Sequence, residues 1–194
     1  FEYFYGSIGG ETNQWYPATY EGTTPIEPEK TPEQGYHFTD DMTNKAIRWV
    51  RQQKALMPDK PFFMYFAPGA THAPHHVPKE FADKYKGKFA HGWDKQREIT
   101  FARQKDLGVI GKDAELTPRH AEIPAWDAMD PKLKPVLERE MEIYAGFMEH
   151  TDHHVGRLIA ALKDLGIYDD TLVYVIVGDN GTSAEGTLQG AFNE

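Results

Sequence analysis

His72, Asp179 and Asn180 are the residues whose types and positions best support chemistry, because each follows an apolar run that reads as a buried strand. Phe62–Ala67 leads into Gly69-Ala70-Thr71-His72-Ala73-Pro74, and an imidazole in a Pro-bounded turn can donate to an anionic substrate or protonate a leaving oxygen. Leu172–Val177 leads into Gly178-Asp179-Asn180-Gly181. A carboxylate and an amide carbonyl are hard oxygen donors of the kind calcium and magnesium prefer, and the flanking glycines let the backbone approach an ion closely. Asp-Asn-Gly alone is an ordinary turn sequence; its place after a buried strand favours the metal reading.

Two histidine clusters are weaker signals. His75 and His76 follow His72 closely but have no Cys or acidic neighbour that would complete a zinc or nickel site, so they read as wall residues of undecided role. Glu149-His150-Thr151-Asp152-His153-His154 looks like a helical metal cluster until it is placed on a wheel. At about 100° per residue Asp152 falls within roughly 20° of Met141, inside the apolar stripe, while His150 and His154 fall opposite. The expectation is a buried, hydrogen-bonded Asp152 and solvent-exposed His150 and His154, since an unpaired buried charge is costly.

The elements that must position these residues follow from hydrophobic pattern. Short apolar runs rich in β-branched and aromatic residues, bounded by Gly and Pro, suggest strands covered on both faces, as in a parallel sheet. Helical sequence precedes both runs. It spans about Asp40 to Leu56, with Thr39 as N-cap, and about Leu133 to Leu165, closing at Gly166. In the second, Met141, Tyr144, Ala145, Met148, Val155, Ile159 and Leu162 recur at threes and fours. Between them lie one or two short helices, around Lys79 to Lys84 and Lys95 to Leu107, in a long excursion of the sort that builds site walls. Residues 1–36 read as ordered loop. The fold class is therefore α/β with a mostly parallel sheet, whose ligands collect beyond the carboxyl ends of the strands.

Composition narrows the partners. At 194 residues and 40% hydrophobic content the chain supports one domain or a large piece of one. A net charge of −9 argues against nucleic acid, whose binding rests on Lys and Arg neutralising phosphates. No run of roughly 18 apolar residues is present, so no membrane span is expected. The absence of cysteine excludes disulfides, thiolate metal sites and a cysteine nucleophile within this stretch, and leaves the compartment open. Gly6-Ser7-Ile8-Gly9-Gly10 resembles a phosphate loop only in glycine content, for no strand precedes it and Trp15-Tyr16-Pro17 stands where a helix should start. Opening on Phe1-Glu2-Tyr3-Phe4-Tyr5 and closing shortly after Asp179-Asn180, the sequence reads as an excerpt of something longer.

Longer stretches carry a resemblance. Phe1–Gly6 with Gly9–Pro17, then Pro61–His75, Tyr144–Asp152, Gly178–Gly181 and Ser183–Gly186 occur in the order found in bacterial and fungal arylsulfatases, so nearly the whole chain resembles that branch of the alkaline-phosphatase-like superfamily. The resemblance implies a sandwich with helices on both faces of the sheet. It implies that residues 1–194 are part of a single catalytic domain, without the N-terminal nucleophile segment and the C-terminal part. It implies hydrolysis of sulfate esters, with Asp179 and Asn180 as ligands of a calcium ion (magnesium being the alternative) and His72 contacting the sulfate near the scissile oxygen. It also implies a formylglycine nucleophile, made by a formylglycine-generating enzyme from a Cys-x-Pro-x-Arg type motif. That motif does not occur here, and the chain alone is expected to be inactive. Two other readings stand beside it: a phosphonate or phosphodiester hydrolase of the same superfamily, which tends to carry His where Asn180 stands, and a non-catalytic degenerate module. Trp15, Tyr16, Trp93 and Trp126 read either as an aryl-binding wall or as packing anchors.

Overall fold

A computed structural model describes residues 1–178 and residue 190; Asp179 and Asn180 lie outside the described residues. Four α-helices follow a small N-terminal sheet: α1 (Phe38–Leu56), α2 (Lys79–Asp83), α3 (Gly92–Asp106) and α4 (Lys134–Asp164). The helix positions match the sequence pattern closely. α1 starts two residues before the expected first turn because its cap is His37, in an extended conformation, whose ring accepts from the Thr39 N–H. Asp40 and Asp41 then sit in the first turn, where carboxylates favour the helix dipole. α4 ends at Gly166, which holds a φ of +69° that suits glycine.

The first 36 residues are more regular than expected. They contain a three-stranded antiparallel sheet of β1 (Tyr5–Gly6), β2 (Thr19–Glu21) and β3 (Thr24–Ile26). Strands β2 and β3 form a hairpin with Glu21 opposite Thr24, and its loop places Gly22 at φ +61°. Strands of two or three residues are too short to leave an alternating pattern in the sequence.

The two long apolar runs differ from expectation in the opposite sense. Residues 62–67 and 172–177 belong to no sheet among the described residues, where the sheet present is antiparallel. Residues 62–66 nonetheless keep the period of two of an extended chain: Phe62, Met64 and Phe66 are half-buried while Phe63 and Tyr65 are exposed. Hydrophobic pattern reports a preference for extended backbone, but a strand exists only where a neighbour completes its hydrogen bonds. None does so for these runs among the described residues.

The phase of α4 is also corrected. Its buried residues are Leu137, Glu142, Gly146, Phe147, His150, His154, Leu158, Ala161 and Leu162, whereas Met141 and Met148 are exposed. His150 and His154 are therefore core residues, 3% and 5% exposed, and Asp152 is on the outside, the reverse of the wheel reading. The helix carries apolar side chains on two opposite sides, so counting threes and fours selects a face without saying which neighbour covers it. Here α1 and α2 both pack on the side bearing Gly146 and His150.

Gly146 sets how closely α2 approaches. A Cβ at this position would lie 2.7 Å from the Cα and N of Ala82 and 2.8 Å from the carbonyl carbon of Phe81, all backbone atoms that cannot swing aside. Gly146→Ala is expected to destabilise the protein by about 1–3 kcal/mol through this overpacking. An unchanged denaturation midpoint for the variant would mean that α2 is not seated on α4 as described. A second cluster, Trp126, Met129 and Leu137 with Trp93 and Leu133, joins α3 to the start of α4. The Trp93 and Trp126 rings meet edge-on at 4.8 Å, which makes both packing anchors.

Candidate active site

His72 lies on the loop that joins the extended run 62–67 to α2. Within that loop the His72 N–H donates to the Gly69 carbonyl at 2.9 Å, and the His76 N–H to the Pro74 carbonyl at 2.8 Å, which makes two successive tight turns. Its imidazole is on the surface. His72 Nδ1–H donates to its neighbour's carbonyl, Ala73 O, at 2.8 Å. A carbonyl only accepts, so in the neutral ring Nδ1 carries the hydrogen. Glu11 Oε2 is 3.5 Å from the same Nδ1, and both side chains are partly exposed to water that screens the pair.

Three residues from elsewhere in the chain, Tyr144, His37 and Gln14, pin this loop. Thr71 Oγ1 donates to Tyr144 Oη of α4 at 2.7 Å. His75 Nε2–H closes back on the Thr71 carbonyl at 2.9 Å, and its ring rests 5.6 Å from that of Tyr144. At the far end of the loop His37 Nε2–H donates to the His76 carbonyl at 3.0 Å, and the Gln14 backbone N–H reaches His76 Nδ1 at 3.4 Å. Gln14 is itself buried and ties the N-terminal region to α1, its carbonyl accepting from the Phe38 N–H at 2.8 Å. A Cβ at residue 69 would stand 3.0 Å from the Gln14 side-chain nitrogen, a tight contact that the amide would have to yield to by a few tenths of an ångström. The loop is thus held at both ends by buried or half-buried groups while His72 points outward between them.

His75 and His76 do not act as a metal pair in this arrangement: His75 donates to a backbone carbonyl and His76 accepts from a backbone amide. Burial first, and then the nearby His75, hold the His76 imidazole below its ordinary pKa. No group of three or more His, Cys, Asp or Glu among the described residues is arranged to hold a metal ion. Trp15 packs edge-on against His37 at 4.9 Å, and Tyr16 is exposed. Sequence reading identified His72 but not the residues that position it. Gln14, His37 and Tyr144 carry no local signal, because their partners are 62, 39 and 73 residues away.

Comparison with known proteins bears on the family. The Sulfatase family profile matches residues 1–193. An uncharacterized sulfatase of Schizosaccharomyces pombe is 35% identical over 144 residues, covering 74% of this chain and 26% of that protein. The arylsulfatase of Klebsiella aerogenes is 28% identical over 149 residues, 76% of this chain and 31% of its own length. That of Clostridium perfringens is 27% identical over 162 residues, 77% of this chain and 27% of its own. The crystal structure of yidJ from Bacteroides fragilis superposes with a TM-score of 0.49 at 17% identity, over 81% of this chain and 28% of that one. The chain spans less than a third of the length of the curated relatives it matches. With the family profile covering residues 1–193, the protein belongs to the Sulfatase family.

Proposed function

We propose that this chain is part of the catalytic domain of an arylsulfatase, an enzyme that hydrolyses sulfate esters, and that His72 handles the proton at the scissile oxygen. The observation that carries the reading is the presentation of His72 on a pinned loop, with Nδ1–H committed to the Ala73 carbonyl. A protonated Nε2 on such a ring donates to the ester oxygen as the S–O bond breaks, or to a sulfate oxygen before it does. Glu11 Oε2 lies 3.5 Å from Nδ1 of the same ring. Tyr144, His37 and Gln14 hold the loop so that the ring meets the ester at a fixed position.

Asp179 and Asn180 would hold a calcium ion, or magnesium, since a carboxylate and an amide carbonyl form a hard-oxygen donor set. When bound, the metal offsets negative charge on the sulfuryl oxygens. The formylglycine nucleophile would lie outside these 194 residues. The alkaline-phosphatase-like sandwich belongs to the same proposal, with residues 62–67 and 172–177 as sheet strands of the whole domain.

The test is an assay of the full-length protein, co-expressed with a formylglycine-generating enzyme, on an aryl sulfate with and without a calcium chelator. Calcium-dependent release of the phenol is expected from the whole protein and none from residues 1–194 alone. Faster turnover of a phosphonate or phosphodiester than of the aryl sulfate would move the assignment to that class. No turnover of any ester would favour a non-catalytic module.

A further inference from the structure

The proposed chemistry leaves three buried imidazoles unused: His37, His150 and His154, each 5% exposed or less. Their hydrogen bonds run in one direction. The Arg157 guanidinium always carries its protons, and Nη1 donates to His154 Nδ1 at 2.8 Å. A nitrogen that accepts has no proton of its own, so His154 is neutral with its hydrogen on Nε2. That N–H then donates to His150 Nε2 at 3.1 Å, which puts the His150 hydrogen on Nδ1. His150 Nδ1 is buried and has no hydrogen-bond partner among the described residues. His37, whose ring lies 4.3 Å from that of His150, obeys the same logic. Its Nδ1 accepts from the Thr39 N–H at 3.2 Å, so its Nε2–H is the donor to the His76 carbonyl.

An added proton therefore meets an existing one on every ring. On His154 it would face the Arg157 N–H, on His150 the His154 N–H, and on His37 the Thr39 N–H. Charging any of the three breaks the bond that holds its neighbour. The groups around them offer little relief. From α1, Asp40 lies 3.7 Å from His154 Nδ1 but is paired with Arg157, which also reaches Asn44. From α2, the ring of Phe81 stands edge-on to His150 at 4.9 Å, and Lys84, 4.2 Å from the Phe81 ring centroid, is neutralised by Glu149 at 2.6 Å. From α4 itself comes His153, and from the loop His75 and His76. Asp40 is the one carboxylate close to the three rings among these.

We propose that His37, His150 and His154 form a proton-sensitive clamp that seats α1 on α4 and, through the His37–His76 hydrogen bond, holds the His72 loop, closed while all three are neutral and released when acid charges them. This inference does not depend on which ester the protein hydrolyses. Burial is the main cause that lowers each pKa. At His150 the neighbouring imidazoles add to it, giving about 3; at His154 Asp40 opposes it while Arg157 and the imidazoles add, giving about 4; His37 is lowered against the pull of the His76 carbonyl and Asp40. The unfolded chain binds these protons near pH 6.5, the native state only well below that. The clamp's stabilisation is thus complete above about pH 6.5 and is lost as pH falls toward 4 and 3. In the middle of that window each such histidine adds about a tenfold rise in the unfolding constant per pH unit.

The experiment is denaturant unfolding of the intact protein from pH 8 to 5, with amide exchange read over the His72 loop. Carboxylates held below their usual range, such as Asp83 and Glu142, act mainly below about pH 5 and stay out of this window. Stability is expected to fall below pH 6.5 with loop exchange accelerating in step, and His150→Phe to reduce the slope by about tenfold per pH unit. Stability that is flat with pH, or a slope that His150→Phe leaves unchanged, overturns the clamp. If that variant does not fold, nitrogen-15 imidazole spectra of the wild type decide the matter. Neutral Nδ1–H for His150 and Nε2–H for His154 at pH 5.5 are expected, and rings that charge near pH 6.5 overturn it.

Discussion

Replacing His72 with alanine in the full-length protein is expected to lower the turnover of an aryl sulfate by roughly 10²–10⁴-fold, the range over which a positioned acid or base contributes. The effect should fall on kcat more than on KM, because proton donation to the leaving oxygen develops in the transition state. It should shrink for esters of acidic phenols, which depart without help. The fold should survive, since the imidazole is exposed and its Nδ1–H donates to the adjacent carbonyl rather than to a distant element. Steady-state kinetics on a series of aryl sulfates of rising phenol pKa would show the pattern. A loss below tenfold across the series would place proton transfer on another residue. Asp179→Ala should lower turnover as well, but with a loss of calcium-dependent stabilisation that His72→Ala does not share.

Phe147→Ala is the substitution expected to cost most stability. The Phe147 side chain is 0% exposed and its ring supports both His37, at 6.3 Å, and His75, at 6.4 Å. Truncation removes a full aromatic from a packed interior and should cost about 3–5 kcal/mol. The void opens beneath two of the groups that pin the His72 loop, so loop amides should exchange faster than those of α3, which packs on the separate Trp126 cluster. Denaturation midpoints and residue-resolved exchange would measure both parts. A change under about 1 kcal/mol would show that the loop and α4 collapse onto the space with little loss.

Much of this architecture was legible in the sequence where physics is local. The bounds of α1 and α4 follow from amphipathic spacing, from the acidic residues of the first turn and from Gly166, and the structure places both within two residues of the expected ends. His72 stood out because a Pro-bounded turn after an apolar run is a local signature. The remainder depends on neighbours that spacing does not name. The face of α4 was misread because Met141 and Met148 make one apolar side as convincing on a wheel as Phe147 and Leu158 make the other. For the same reason His150 and His154 were expected in solvent, although a neutral imidazole among aromatic rings packs much like one of them. The N-terminal strands were missed because two or three residues cannot display a period. Residues 62–67 and 172–177 were read as strands from composition, which gives extended backbone but not the partner that makes it a sheet. Asp179 and Asn180 lie outside the described residues, so their geometry adds nothing to the chemical argument for them.

The contacts that pin the His72 loop also fix when it can form. Thr71 and its partner Tyr144 are 73 residues apart, so on the ribosome the His72 loop emerges well before the helix that holds it. At about 5–20 residues per second that interval is roughly 4–15 s, far longer than the time a short loop needs to sample its conformations. Within this chain the imidazole is made early and its Thr71–Tyr144 anchor late: His37 and Gln14 are already in place, but the nascent protein lacks that third hold until about the first third of α4 has been synthesised.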